Sequence, residues 1–492
     1  MRQRRSGKEA RWQGGKAATW HCAVLCLWAS LPLCLFASTL EAQSRPLDPG
    51  LIARIDSVFS RFTAPGSPGC ALGVVRDGRL DYARGYGLAS IEHGVPITPA
   101  TVFDIGSVSK QFTAMAIVLL AQDGKLSLDD EIQKFLPEIP RYQAGAVTIR
   151  HLLHHTSGLR DYIDVLSWSG IADEAVTTDA DALLAISKQR GTNFAPGSEF
   201  LYSNSGYFLL SVIVRRVSGQ TLRYFAATRI FAPLEMTHTQ IVDRHEMIVP
   251  GKAGSYAPGP GGNFVLSLAN WEQTGDGAVN TTVEDLVRWE RNFETGTVGG
   301  AAGIAELHKT GVAGGKPITY ALGLGIDSLR GVRRVSHGGA WAGYRAHIAR
   351  FPDQKLSLIS LCNLSNSTPG QLNERVAVLL LEGKLGPATA PGAFVRSPMA
   401  RTFSPTPAAL SGIAGTYRSS ELLADWVISL RQDSVLARAG LGAEYPLRPV
   451  AADTFAAFGT RVVFSRTGGT VTGLILDNRG LRDFRLTKVG GR

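Results

Sequence analysis

Apolar and polar positions follow different periods in successive parts of the chain, and those periods predict its elements. Residues 18–38, ATWHCAVLCLWASLPLCLFAS, form one apolar run. From Leu47 to about Leu385, strand-like and helix-like patterns mix. The stretch CALGVVRDGRLDYARGYG, starting at Cys70, predicts two strands joined by a turn at RDG. A helix-rich middle follows, then strand-like AHIARFP and LSLISLCN ahead of a helix in QLNERVAVLLLEGKLG. Strands at both ends with helices between them predict an α/β domain whose sheet is assembled from distant parts of the chain. Residues 387–409 are rich in Pro, Ala and Ser and read as a linker. After it come IAGTYRS, DWVISLRQD, SVLARAG, EYPLRPV, DTFAAFG, RVVFSRTGG and TVTGLILDN, short strands separated by turns. Their regular spacing predicts a small antiparallel barrel or sandwich over 410–492.

One helix breaks the usual pattern. After Lys110 the chain is apolar on nearly every side, with Phe112, Met115, Ala116, Ile117, Val118, Leu119 and Leu120. A helix of that kind is buried, yet it begins with Ser107 and Lys110, and lysine almost never goes inside unpaired.

Composition narrows the classes. The 492 residues exceed one ordinary domain, and 44% hydrophobic with 19% charged residues is a globular balance. Arg2, Arg4, Arg5, Lys8, Arg11 and Lys16 precede the first apolar run, and small residues lie near Ala42. That is the layout of a secretory signal over residues 1–42, directing a secreted or periplasmic protein. Pro32 and the modest length of the run argue against a membrane anchor, so no stable span is expected after processing. Losing residues 1–42 removes six of 51 Lys/Arg and two of 41 Asp/Glu and leaves a net charge of +6. No basic run with interleaved aromatics remains, so nucleic acid is not an expected partner. Two cysteines survive, Cys70 and Cys362, either as buried thiols or as a pair formed in an oxidising compartment.

Ser107 and Lys110 are three apart and share a helix face. Backbone N–H groups and the positive end of the dipole favour negative charge at a helix start. Burial lowers a lysine pKa, and a neutral amine can take the hydroxyl proton. The pair therefore reads as an activated nucleophile, although S-x-x-K alone is also the pattern of a capping serine with a solvated lysine. Two further segments decide between these. Tyr202-Ser203-Asn204 precedes another apolar helix, and His337-Gly338-Gly339 sits on a late strand.

S-x-x-K, then Y-x-N, then [KH]-[TGS]-G is the ordered triplet of the serine β-lactamases and penicillin-binding proteins. The chain resembles that superfamily, in particular the class C β-lactamase-like branch with its D-alanyl-D-alanine carboxypeptidase, esterase and D-aminopeptidase relatives. LLHHTSGLRDY and GDGAVNTTVEDLVRW belong to the same likeness, which runs from about Leu51 to Leu385. The resemblance implies an antiparallel sheet flanked by helices over residues 47–386, with a barrel-like appendage that caps or flanks the site. It implies Ser107 as nucleophile, Lys110 as its activating partner and Tyr202 as general acid or base. Asn204 would orient the substrate amide. The N–H groups of Ser107 and Ala340 would form the oxyanion hole, and Gly338 and Gly339 would let a substrate backbone lie close.

No metal and no cofactor are implied. His151, His154 and His155 lack a Glu or Cys at zinc-motif spacing, and no G-x-S-x-G occurs. Thr282 and Asp285 read as a helix cap. The expected substrate is a small molecule or peptide, with cell-wall peptides, β-lactams and simple esters all fitting; the competing class is a penicillin-binding sensor that acylates without turnover. In the resembled fold the first and last strands of the sheet are antiparallel neighbours, which would bring Cys70 and Cys362 together. Histidine at position 337, where many relatives carry lysine, leaves a substrate carboxylate without a fixed cation unless Arg345 or Arg350 supplies one.

Overall fold

The computed structural model describes residues 47–387, 403–432 and 434–490. The signal segment expected over residues 1–42 lies outside them. Among the described residues no helix is long and apolar enough to cross a membrane.

The region ahead of the C-terminal strands is built on a six-stranded antiparallel sheet. Its strands are β1 Cys70–Arg76, β2 Arg79–Tyr86, β3 Gly325–Leu329, β4 Val332–Trp341, β5 Tyr344–Phe351 and β6 Leu356–Cys362, in the order β3-β4-β5-β6-β1-β2. Strand β1 reads as a continuous apolar run because both its faces are covered. Leu72 and Val74 pack with Val58 and Phe59, which come from helix α1, Pro49–Val58, and the residue after it. Val376 of helix α6, Pro369–Leu380, joins the same cluster. On the other face Ala71 and Val75 share a core with Val283 and Leu286 of helix α5, Val283–Thr295. A Cβ at Gly73 would stand 2.4 Å from Val283 Cγ1, so the helix lies directly on the strand there. The expected cap of α5 is present: Thr282 Oγ1 accepts the Asp285 N–H at 3.0 Å.

The first and last strands of the sheet meet as the resemblance implied. In the β1–β6 register Cys70 stands opposite Cys362, and the two form a disulfide.

The chain between β2 and β3 supplies the helical layer. Its centre is helix α2, Lys110–Gln122, whose residues from Lys110 to Leu120 are all buried. Helix α4, Asn204–Ser218, packs against it, and helix α3, Tyr162–Trp168, packs on α4.

The C-terminal strands close into an eight-stranded barrel. Seven coincide with the strands predicted from the sequence. The eighth, Phe484–Lys488, is a five-residue alternation whose Phe484 and Leu486 point inward, and it is too short to stand out from its polar neighbours. The barrel packs on the catalytic region through α3. Trp168 Nε1 donates to Thr460 Oγ1 at 3.1 Å, Trp426 Nε1 donates to the Trp168 carbonyl at 2.6 Å, and Arg160 pairs with Glu421 at 2.5 Å.

Candidate active site

Ser107 lies in a single 3₁₀ turn, Gly106–Ser109, that leads into α2. From Thr101 to Leu120 every residue is buried except Ser107. Its hydroxyl thus belongs to the one residue of this segment that is not buried, and it faces a cavity of about 270 Å³, lined among others by Asp104, Asn204, Trp271, Asp276, Ala340 and Trp341.

Lys110 is fully buried. Its Nζ lies 3.1 Å from Ser107 Oγ and donates to Asn204 Oδ1 at 2.9 Å and to the Asp276 backbone carbonyl at 2.7 Å. Burial pulls the amine down to about 8, while the negative charges of Asp276 and Asp161 keep it from falling further. An amine held there supplies a substantial neutral fraction near neutral pH, which a solvated lysine does not.

The ring of Tyr202 packs against the same amine, with Lys110 Nζ 4.9 Å from its centroid. Its phenol is buried with no hydrogen-bond partner among the described residues. Burial pushes that phenol well above its ordinary range. The Ser107 hydroxyl is close enough to oppose part of the rise, although the two make no well-formed hydrogen bond. His155 stacks on Tyr202 with ring centroids 4.1 Å apart, and its Nδ1 accepts the Ser203 N–H at 3.2 Å.

Strand β4 forms the opposite wall. It pairs with β3 only over Val332–Ser336, so His337–Trp341 hydrogen-bond to β5 alone and leave a free edge. The turn at Ser107 presses on this edge. A Cβ at Gly339 would sit 1.9 Å from the Ile105 carbonyl oxygen and 3.1 Å from Ser107 N. One at Gly106, where φ is +50°, would sit 2.6 Å from Ala340 N. Glycine at both positions is what brings the backbone nitrogens of Ser107 and Ala340 to the same spot. Gly338 is different: its nearest neighbour to an added Cβ is at 3.8 Å, so close packing there does not require glycine.

His337 is buried. Its Nδ1–H donates to the Gly338 carbonyl at 2.6 Å, which leaves Nε2 to accept from the Tyr320 hydroxyl at 3.0 Å. Burial, helped by the Lys110 charge, pushes this imidazole down to about 3. Neither arginine raised in the sequence reading restores a cation. Arg350 is held in a buried ion pair with Glu290 at 2.8 Å, and Arg345 donates to the carbonyls of Ala342 and Tyr344.

Of the eight residues singled out from the sequence, Ser107, Asn204 and Ala340 line the cavity, Lys110 and Tyr202 pack beside Ser107, and His337, Gly338 and Gly339 continue the strand that carries Ala340. Others were missed. Asp161 and Asp276, the two carboxylates that set the Lys110 charge balance, lie within the LLHHTSGLRDY and GDGAVNTTVEDLVRW stretches, where they were visible as pattern but not as roles. His151 caps a helix by accepting the Thr148 N–H, and His154 Nε2 bonds the Lys309 carbonyl. The described residues that bring three metal-ligating groups together are His245, Glu246 and Glu272, within 4.8 Å of one another at the outer rim. There His245 is already bonded to Glu272 at 2.7 Å.

Comparison with known proteins places the chain in a family and matches its fold. The family model described as Beta-lactamase matches residues 55–382. Penicillin-binding protein 4* of Bacillus subtilis is 32% identical over 311 residues, covering 59% of this chain and 67% of that protein. A D-aminopeptidase of Gluconobacter oxydans is 30% identical over 314 residues, covering 63% of this chain, and the match spans only 59% of the relative's length. Among solved structures, an octameric penicillin-binding protein homologue from Pyrococcus abyssi superposes with a TM-score of 0.61 at 24% identity, over 89% of this chain and 100% of that one. A D-amino acid amidase from Ochrobactrum anthropi SV3 gives 0.58 at 22% identity, over 68% and 99%. The structural matches establish the fold.

Proposed function

The chain belongs to the beta-lactamase family, and from that premise we propose that it is an acyl-enzyme serine hydrolase acting on amide or ester bonds of small D-amino-acid derivatives and peptides. One observation carries the reading: the buried Lys110 amine lies 3.1 Å from the hydroxyl of Ser107, the one residue of the Thr101–Leu120 segment that is not buried.

In the proposed reaction Lys110, in its neutral form, takes the proton of Ser107 as Oγ bonds to the substrate carbonyl carbon. The oxyanion that forms lies between the N–H groups of Ser107 and Ala340, and one such donor contributes about 2.7–4 kcal/mol to transition-state stabilisation. The proton passes through the Tyr202 phenol to the leaving nitrogen or oxygen as the C–N or C–O bond breaks. Water then attacks the ester by the same route in reverse and frees Ser107. Burial of Tyr202 supports a neutral phenol that relays the proton, with Lys110 as base, over a standing phenolate. The names of the relatives, D-aminopeptidase and D-amino acid amidase, support amide substrates carrying D-residues.

The domain scheme belongs to the same proposal: a signal over 1–42, chemistry in 47–386, a linker over 387–409 and a β-domain over 410–492. The Cys70–Cys362 disulfide supports a secreted or periplasmic location.

A fluorophosphonate probe should label the mature protein at Ser107, and Ser107→Ala should abolish labelling with the fold intact by circular dichroism. A panel of D-amino-acid amides, esters and penicillins, followed through single-turnover acylation and then deacylation, names the substrate. Persistent labelling of the alanine variant removes the nucleophile assignment; fast acylation with no deacylation on every substrate favours a non-turnover sensor.

A further inference from the structure

The proton path ends at the leaving atom, and beyond it the leaving group needs room. Tyr202 stands between two cavities. Its buried phenol lies beside Ser107, while the rest of the residue lines a second, open cavity of about 700 Å³. Phe200 and Leu201 make one side of that cavity apolar, and a barrel turn carrying Asn478, Arg479, Gly480 and Arg482 forms another wall. The turn is fastened on both sides of Arg479. Asn478 Oδ1 accepts the N–H groups of Gly480 at 2.8 Å and Leu481 at 2.7 Å. The Gly480 carbonyl accepts from Asn193 Nδ2 at 2.9 Å, and the Arg482 N–H donates to Asn193 Oδ1 at 2.9 Å. Arg479 itself is exposed and makes no hydrogen bond, ion pair or ring contact among the described residues. A fixed backbone thus displays a guanidinium that nothing in the protein neutralises. Such a group binds a carboxylate through two parallel N–H···O bonds, and the fixed backbone lowers the entropy lost on binding.

The other charges around this second cavity are answered from within the protein. Arg482 pairs with Glu199 at 2.8 Å. Asp161 takes two hydrogen bonds from Asn204 and faces the charge of Lys110. Burial and the neighbouring Asp161 raise Asp164 to about 7, so it carries only part of a charge at neutral pH. Strand β4 has no cation to offer from the opposite side, because His337 is neutral there. In the Ser107 cavity Lys252 offsets the buried Asp104.

We propose that Arg479 receives the carboxylate of the leaving residue, so that the enzyme prefers a D-residue joined to an amino acid with a free carboxyl group over the corresponding amide. The barrel then takes part in choosing the substrate, by supplying a cation that strand β4 lacks. A peptide carboxylate can turn past Tyr202 about its own N–Cα bond. The fused ring of a penicillin holds its carboxylate fixed, so Arg479 does not replace the missing charge for a β-lactam. This rests on the acyl-enzyme reading given above, in which the proton reaches the leaving atom through Tyr202.

The test compares D-phenylalanylglycine with D-phenylalanylglycinamide on the mature protein, each followed as initial release of D-phenylalanine. The two differ only at the terminal carboxyl group. The free acid should have the higher kcat/KM, and Arg479→Ala should cut the ratio of the two values by about tenfold or more, the effect of losing a hydrogen bond to a charged partner. Arg479→Glu should reverse the preference. Taking the ratio cancels any change the substitutions make to the chemistry at Ser107, and the wild-type comparison stands even if a variant does not fold. Equal or better use of the glycinamide by the wild type, hydrolysis of neither dipeptide, or an unchanged ratio in Arg479→Ala overturns the assignment of Arg479, while fluorophosphonate labelling of Ser107 leaves the acyl-enzyme reading intact. Absence of labelling and of hydrolysis together overturns both.

Discussion

Asp161 Oδ2 accepts two hydrogen bonds from Asn204, one from its backbone N–H at 2.7 Å and one from its side-chain Nδ2 at 2.9 Å. The double contact fixes the amide so that Oδ1 faces Lys110 Nζ. Asp161 is itself the N-cap of α3, accepting the Ile163 N–H, and its own N–H reaches the carbonyl of Gly480 in the barrel at 3.3 Å. The barrel therefore touches the residue that aims Asn204. A Cβ on Gly480 would stand 2.1 Å from Asp164 Oδ2, so any side chain there would have to displace the Asp164 carboxylate.

Replacing Asp161 by alanine should lower kcat more than it raises KM, because Asn204 loses its orientation while the cavity keeps its shape. A buried partner left unsatisfied costs about 1–3 kcal/mol, which is roughly 5- to 150-fold in rate. Steady-state kinetics on one amide substrate decides it, and an effect confined to KM would show that Asp161 does not position Asn204.

The acylation rate should rise with pH through the Lys110 value of about 8. The sign follows from the role: the amine must be neutral to take the Ser107 proton, so below that value the competent fraction falls about tenfold per pH unit. Asp161 is one of the two carboxylates that hold the lysine up. Asp161→Asn should therefore move the lower limb of the pH–rate profile to lower pH. Stopped-flow acylation followed across the Lys110 value checks this, and a limb that moves upward in the variant contradicts it.

His337 should disfavour penicillins. Held down to about 3, the imidazole is neutral at every working pH, and it offers a β-lactam carboxylate no charge. An uncharged ester or D-amino-acid amide should have a higher kcat/KM than benzylpenicillin, and His337→Lys should narrow the gap. If the wild type turns over benzylpenicillin faster than every ester and amide tested, His337 is not the selectivity element.

Loss of the Cys70–Cys362 bond should destabilise the sheet. The bridge joins residues 292 apart, and removing a disulfide typically costs about 2–5 kcal/mol. The Cys70→Ser/Cys362→Ser double variant should show a lower denaturation midpoint by urea unfolding, with the wild type under strong reductant moving the same way. No change in either sample would mean that the bond adds nothing to stability.

Local chemistry in the sequence was enough to mark the parts of this protein that depend on neighbours in the chain. The β1–β2 hairpin, with its turn at Asp77–Gly78, was legible because a short turn joins two apolar runs. The apolar-all-round α2 was legible because burial demands that composition, and the Ser107–Lys110 spacing exposed the conflict that marked the site. What the sequence left open depended on contacts between distant segments. Asp161 and Asp276 stand 51 and 166 positions after Lys110 and reach it only through tertiary packing, so no spacing rule couples them. Whether Cys70 and Cys362 were thiols or a bridge was settled by a β1–β6 register spanning most of the domain. The charge state of His337 likewise depended on burial beside Lys110, a property of the assembled cavity that a residue type alone does not carry.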